Sequence, residues 1–490
     1  MTAQLDPQRW AEQHFADLDL GDIRRNQRVI TIASAMAHQP GKSIPQLFDR
    51  WTDVKATYSL FARPEATPDE LQATHRDWVS QVIKQPGEYL LIEDTTEMAY
   101  GGQGRQGLGP VGASKDGQIG FLLHSIIAAQ WPEPSSLAQC GGPSLVGKRP
   151  PVTVIGLADQ QCHLRQQRPA HLPAAQHSRR EREWGAEALE SDLWEAATTR
   201  LGTAPENPQV RWVRVCDRGA DIFEFLVSCR AEGHGFLVRA AQDRLLVAGP
   251  EENKPVGHLF ETVRRQATLG EFELELRARP GQAARTAQLS VSAVKVWLRS
   301  PQRPGHRAGY FPPLGCTAVR VWEANPPAGV EPLEWILLCD VEVESFAQAQ
   351  ECAQQYSTRW LGEEFHKGLK TGMGAEKLQL ETGEQLMAAT AIQSVVALRL
   401  LGLREAARVE PEAEAAASGL SEIELTVLSA ATDRELETVR EVALALGKLG
   451  GHLNRKSDGL PGWLTLWRGY LQLQALVKGV RIAHKVKEFG

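Results

Sequence analysis

Hydrophobic and polar positions alternate differently in three parts of this 490-residue chain. Up to about residue 68 the spacing is helical. "LGDIRRNQRVITIASAMAHQPGKS" repeats its apolar residues every three to four positions and breaks at Pro40 and Gly41. "PQLFDRWTDVKATYSLFARP" predicts a second helix. From about residue 69 the pattern alternates. "EYLLIEDTTEMAY", "IGFLLHSIIAAQW" and "PVTVIGLADQQ" predict three strands. A helix follows in "EREWGAEALESDLWEAATTRL", then a strand running into a helix in "VRWVRVCDRGADIFEFLVSCRAEG", then a strand in "GFLVRAA". Strands and helices in that order predict an α/β layer with a mixed sheet.

Residues 240–335 break this order. They are rich in Pro, Gly and Arg and carry period-2 runs such as "QLSVSAVKVWL" and "CTAVRVWEA", the pattern of an all-β insertion. "LEWILLCDVEV" returns to the sheet. Ser345 and Gln348 form a capping box that opens a helical region over 346–371, closed by Gly372 and Gly374. The pattern leaves open whether that region is one helix or two. Residues 376–490 are helical by spacing, joined through "EAARVEPEAEAAASGLS".

Composition is that of an ordinary globular protein, 42% hydrophobic and 23% charged. No stretch is expected to approach a membrane helix, the nearest being "FLLHSIIAAQW". The N-terminus lacks the basic-then-apolar order of a signal peptide. Seven dispersed cysteines without a CxxC pair read as reduced thiols of a cytoplasm. Cys162, His163, His171 and His177 match no common zinc spacing, and the Gly-rich "GGQGRQGLG" matches no nucleotide-binding fingerprint. The net charge of −6 argues mildly against nucleic acid, but its distribution is uneven. Eight Lys or Arg and no acid lie between Arg277 and Trp322: Arg277, Arg279, Arg285, Lys295, Arg299, Arg303, Arg307 and Arg320.

Candidate chemistry lies in "YSTRWLGEEFHKGLKTG", residues 356–372. On a continuous helix Tyr356, Arg359, Glu363 and Lys370 share roughly a 60° sector, and Lys367 lies in the same stripe. Glu364 points away from it. Such a stripe is either a solvated, salt-bridged surface or one carboxylate set among phosphate-binding cations. Two further acids stand at polar ends of predicted strands, Asp94 in "LLIEDTTEMAY" and Asp217 in "WVRVCDRGADIF". Glu93 faces the other side of its strand. Asp217 also fits an N-cap or Asx turn. Three carboxylates converging from two strands and a helix would form a hard-oxygen site for two Mg²⁺, with Mn²⁺ as a substitute. Two such ions suit phosphodiester cleavage.

The spacing Tyr356-x2-Arg359-x3-Glu363-x6-Lys370 resembles the signature of the insertion sequence four family of DDE transposases. "LGDIRRNQR", "PGKSI", "IEDTT", "VCDRGADI", "PLEWILL" and "LGGHLNRKSDGLPGWLTLW" resemble that family in the same order, across almost the whole chain. The resemblance implies an RNase H-like (retroviral integrase superfamily) catalytic core over 69–375 with the β insertion. It implies an α-helical N-terminal DNA-binding domain over 1–68 and an α-helical dimerisation domain over 376–490. Asp94, Asp217 and Glu363 would be the metal-binding triad, and Tyr356, Arg359 and Lys370 would hold phosphates near the transposon end. Trp335 would stack a flipped base. Arg25, Arg28 and Lys42 would contact the end sequence, whereas Ser59 and Ala62 stand where the family has basic residues. The implied activity is cut-and-paste transposition. A metal-activated water nicks the transposon end, the freed 3′-hydroxyl forms a hairpin, and the reopened end attacks target DNA. The implied partners are double-stranded DNA, as inverted repeats and target, and a second copy of the chain in a synaptic dimer. The setting is the bacterial cytoplasm, on the nucleoid when bound, with no membrane. A catalytically silent, end-binding inhibitor is the alternative within the same fold. A glycosidase using paired carboxylates is the rival outside it, which the cations around Glu363 do not suit.

Overall fold

The structure is a computed structural model. It describes residues 6–101, 105–112, 117–132, 151–165, 190–276, 284–301, 311–455 and 459–489. His171, His177, Arg277, Arg279, Arg303, Arg307, part of the Gly-rich stretch and the start of the helix expected from residue 181 lie outside these residues.

Five helices come first: α1 (Pro7–Phe15), α2 (Ile23–His38), α3 (Ile44–Leu47), α4 (Trp51–Phe61) and α5 (Pro68–Ile83). Asp6, Asp22 and Thr67 cap α1, α2 and α5 through their side chains. Helix α5 corrects the expectation of alternation from residue 69. Leu71, His75, Val79 and Ile83 form its buried stripe, and the histidine in that stripe hides the apolar period.

The strands are β1 (Gly87–Tyr100), β2 (Gly109–Pro110), β3 (Ile119–Gln130), β4 (Thr153–His163), β5 (Val210–Cys216) and β6 (Gly235–Arg239). Helix α6 (Asp192–Leu201) precedes β5 and α7 (Phe223–Ala231) follows it. Next come β7 (Leu245–Val247), β8 (Pro255–His258), α8 (Leu259–Arg264), β9 (Gly270–Leu276), β10 (Arg285–Leu298), β11 (Leu314–Glu323) and β12 (Glu334–Cys339). Helices α9 (Phe346–Ser357), α10 (Trp360–Lys367), α11 (Gly383–Val409), α12 (Glu422–Thr432), α13 (Val439–Leu449) and α14 (Trp463–Phe489) complete the chain. Reciprocal capping boxes open α9, α11, α12 and α13.

The described strands join in one 12-stranded sheet. Strands β1, β3 and β4 run antiparallel, while β5 lies parallel to β1, and β6 parallel to β5. The spatial order is β4-β3-β1-β5-β6, continuing through β12, β11 and β10. The insertion therefore extends the main sheet through the β6–β12 pair. Its expected all-β character is also corrected, because it contains α8. One buried core covers a sheet face and runs from Phe15 and Val29 through Ile92, Val215 and Phe365 to Trp463 and Leu473. Helix α11 lies within it. This helix is long and apolar enough to cross a membrane, with mean hydropathy 1.7, but 88% of that window is buried inside the protein. It corrects the expectation that no stretch approaches that length and hydropathy, and packing explains the composition.

Candidate active site

Strand β1 enters the core on Tyr89, Leu90, Leu91 and Ile92, all buried, and becomes polar at Glu93 and Asp94. Side chains alternate across a strand, so Leu90, Ile92 and Asp94 share one face. On β5, Val213 and Val215 share a face with Asp217. The parallel register pairs Glu93 with Cys216, and one step further it brings Asp94 beside Asp217. The β5–β6 register pairs Cys216 with Val238, so the next step sets Arg239 beside Asp217. Three polar residues thus form a row across three parallel strands: Arg239 ends β6, Asp217 follows the last residue of β5, and Asp94 lies midway along β1, which continues to Tyr100 and corrects its expected place at a strand end. Arg239 is a functional candidate that sequence reasoning missed. Its only linear signal is its place at the end of "GFLVR".

Asp217 makes the Asx-type contact anticipated for it. Its Oδ1 accepts from Gly219 N at 2.7 Å and caps the short turn Arg218–Ala220. That bond uses one carboxylate oxygen.

Helix α10 lies over the middle of β1, and Gly362 permits the approach. A Cβ there would stand 3.2 Å from Asp94 Cβ and 3.5 Å from Oδ2. Glu363, the next residue, accepts a hydrogen bond from Arg359. Arg359 Nη1 also lies 4.0 Å from Asp94 Oδ2, so one guanidinium serves both carboxylates. Its guanidinium carbon is 5.4 Å from the Trp360 ring centre. His366, a second missed residue, is buried with Nδ1 3.6 Å from Asp94 Oδ2. Its Nε2 is buried without a hydrogen-bond partner among the described residues. Burial pushes the Asp94 carboxyl up, but His366, Arg359 and the Thr95 N–H outweigh it and hold the group below its usual range.

The region 346–371 is not one continuous helix. Thr358, Arg359, Leu361 and Gly362 donate their N–H groups three residues back, to Gln355, Tyr356, Thr358 and Arg359. The Ser357 and Thr358 hydroxyls also bond to the carbonyls of Gln354 and Gln355, at 2.6 Å each. Such bonds compete with the helical ladder and tighten the chain between α9 and α10. After Lys367 the chain widens into a π-turn, Gly368–Gly372, which carries Lys370. π-Turns inside helices are frequent at functional sites. The two irregularities divide the expected stripe. Tyr356 is buried beside Arg239 and Arg359, and burial raises its phenol against their pull. Glu363, Lys367 and Lys370 line an open cleft of about 330 Å³ together with Asp94 and His366. Lys370 Nζ is 3.5 Å from Glu376 Oε1. Glu364 turns away, as expected, and pairs with Arg404.

Among the described residues no group of three or more His, Cys, Asp or Glu is assembled as a ligand set. In this arrangement Glu363 is held by Arg359, and Asp217 by its turn. The donor types, the carboxylates of Asp94, Asp217 and Glu363, still suit a hard cation.

Trp335 is half-buried on β12 and packs against the main core. The register pairs Leu337 with Arg239, so Trp335 is on the same sheet face as the polar row. At the N-terminus, Arg25 bonds to Leu20 O at 3.0 Å and pairs with Glu65 at 3.2 Å. Arg28 pairs with Asp53 at 2.7 Å. Lys42 is exposed beside Gly41, which packs on the backbone of Gly372 at the end of the π-turn. In the basic β segment, Arg285, Lys295 and Arg320 pair with Glu323, Glu342 and Glu334. Cations that run together in sequence are there neutralised by acids from neighbouring strands and loops.

The cleft thus sets the carboxylates of Asp94 and Glu363 beside the ammonium groups of Lys367 and Lys370. Residues 7–66, from α1 through α4, match the family described as transposase DNA-binding. The match supports a DNA-binding transposase, a DNA-processing enzyme with DNA as its partner.

Proposed function

We propose that the chain is a metal-dependent DDE transposase of the insertion sequence four family, closely similar to the transposon-five transposase. The observation that carries this reading is the register that brings Asp94 beside Asp217, beneath the helix bearing Glu363. The order β4-β3-β1-β5-β6, with three antiparallel strands followed by two parallel ones, supports an RNase H-like core. Asp94, Asp217 and Glu363 would hold two Mg²⁺ or Mn²⁺ ions. Bound there, the ions supply Lewis acidity to a nucleophilic oxygen and a leaving oxygen.

The protein's own groups bind and orient DNA. Arg359, released from Glu363, joins Tyr356, Arg239, Lys367 and Lys370 as phosphate ligands. Gly362 keeps the helix close enough for Glu363 to turn toward Asp94. Trp335 receives a displaced base, and Arg25, Arg28 and Lys42 engage the end sequence. The chain acts in the bacterial cytoplasm as a synaptic dimer on two inverted repeats. It cuts through a DNA hairpin and transfers the 3′-hydroxyl ends to target DNA.

A second reading, a silent end-binding inhibitor, is favoured by the bond that holds Glu363 to Arg359. One experiment separates them. Purified full-length protein is incubated with labelled terminal repeats of its own element, with Mg²⁺ or with EDTA. Nicking and hairpin formation in Mg²⁺ alone is the expected result. Binding without cutting in either condition would leave the inhibitor.

A further inference from the structure

The sheet face opposite the cleft carries a cluster that the proposed chemistry does not use. The side chains of Glu93, Arg214 and His124 have no exposed surface. Arg214 Nε donates to Glu93 Oε2 at 2.9 Å, and its Nη1 donates to Thr198 Oγ1 at 2.8 Å. His124 Nε2 is 2.6 Å from Glu93 Oε1, and Nδ1 is 2.7 Å from Thr95 Oγ1. An ionised carboxylate only accepts, so His124 Nε2 donates to Glu93. The Thr95 hydroxyl, which can donate or accept, faces Nδ1. Within the cluster the Glu93 carboxylate faces the Arg214 guanidinium on one oxygen and the imidazole on the other.

Stability alone gives a poor account of it. Replacing a buried ion pair by apolar side chains of similar volume is often neutral, or stabilising by about 1–4 kcal/mol. Its place in the chain suggests another role. Glu93 immediately precedes Asp94, and Arg214 stands three residues before Asp217. The register pairs Leu91 with Arg214 and Glu93 with Cys216, so the guanidinium reaches diagonally from β5 to β1. Thr95 donates its N–H to Asp94 Oδ1 at 2.9 Å while its hydroxyl is anchored to His124. A slip of one residue would turn Asp94 to the wrong face. It would also separate two buried charges.

We propose that Glu93, Arg214 and His124 are positioning residues, a clamp beneath the sheet that fixes β1 against β5 so that Asp94 and Asp217 form one cation-binding edge. This rests on the DDE reading above. Outer-sphere partners of metal ligands typically account for about 10- to 100-fold in affinity or activity.

The test compares full-length wild type with two variants, Glu93→Leu combined with Arg214→Leu, and His124→Phe. Four quantities are measured: melting temperature, DNA-end affinity, Mn²⁺ affinity by titration calorimetry, and the Mg²⁺ concentration giving half-maximal cutting. The double variant should melt within a few degrees of wild type and keep its end affinity. Its Mn²⁺ affinity should fall about 10- to 100-fold, with a matching rise in the Mg²⁺ midpoint. A folded double variant with wild-type Mn²⁺ affinity and Mg²⁺ midpoint overturns the clamp. Should the double variant fail to fold, His124→Phe decides, since it keeps Glu93 paired with Arg214. A smaller weakening in the same direction supports the clamp, and no change overturns it. A wild type that binds Mn²⁺ but never cuts removes the DDE reading, while the Mn²⁺ comparison still decides the clamp.

Discussion

Two charged clusters occupy opposite faces of β1, one residue apart in the chain, and they are built on different terms. Beneath the sheet, Glu93 has a guanidinium on one oxygen and an imidazole on the other, and neither it nor its partners meet solvent. Above it, Asp94 and Glu363 share Arg359, and His366 keeps a buried nitrogen unpaired among the described residues. Buried polar groups are nearly always satisfied, so an exception calls for an explanation. The lower cluster has the form of a fixture. In the upper one two carboxylates share one guanidinium, which under the proposed function would leave them for phosphate.

If the comparison is sound, the two clusters fail in different ways. The largest effect is expected above the sheet, from Glu363→Gln. Cutting should fall at least about 10³-fold, about 4 kcal/mol of barrier, while end binding and melting stay unchanged. A variant that cuts at the normal rate would remove Glu363 from the chemistry. Beneath the sheet, Glu93→Gln strands the Arg214 charge and should destabilise by about 3–5 kcal/mol. Urea unfolding reads this directly, and a loss under about 1 kcal/mol would mean that water or another group compensates Arg214.

Acid sharpens the same contrast. Burial pushes the Glu93 carboxyl up, but Arg214 and His124 outweigh it, and the folded value lies below the usual one. Its contribution is thus fully present above the unfolded carboxyl value, about 4.3. It is lost as pH falls through the folded value. Unfolding free energies measured from pH 7 down to 3 should decline less steeply in the Glu93→Leu, Arg214→Leu protein. Parallel curves would show that the pair contributes no acid sensitivity. The smallest effect is expected at the cleft margin. Lys370→Ala should weaken end binding and reduce the magnitude of the log–log salt slope by about 1. An unchanged slope with unchanged cutting would show that Lys370 serves Glu376 alone.

Much of the site was legible because it depends on local periodicity. Period 2 separated Glu93 from Asp94, and period 3.6 turned Glu364 away from Glu363. Both assignments hold: Glu93 is buried beneath the sheet, and Glu364 pairs with Arg404. The Ser345–Gln348 box opens α9 as expected. Residues whose meaning lies in distant partners were not legible. Arg239 matters because β6 lies beside β5. Within the basic run, Arg285, Lys295 and Arg320 are paired with Glu323, Glu342 and Glu334, acids that lie outside the run in sequence. Helix α5 was missed because His75 occupies an apolar position, where its Nε2 accepts from Leu157 N at 2.9 Å.

The sequence by itself determined which face of β1 Glu93 and Asp94 take, which way Glu364 turns, and which caps open the helices. Those are short-range properties, set by backbone geometry and by neighbours within a few residues. Tertiary structure decided the rest. Strand order set Asp94 beside Asp217 and Arg239, and the loss of a Cβ at Gly362 let a late helix close over them. Side chains from other elements determined which charges are spent on one another. Registers and ion pairs join residues more than a hundred positions apart, Glu93 to Arg214 among them, and no local pattern records which of many possible partners packing will supply.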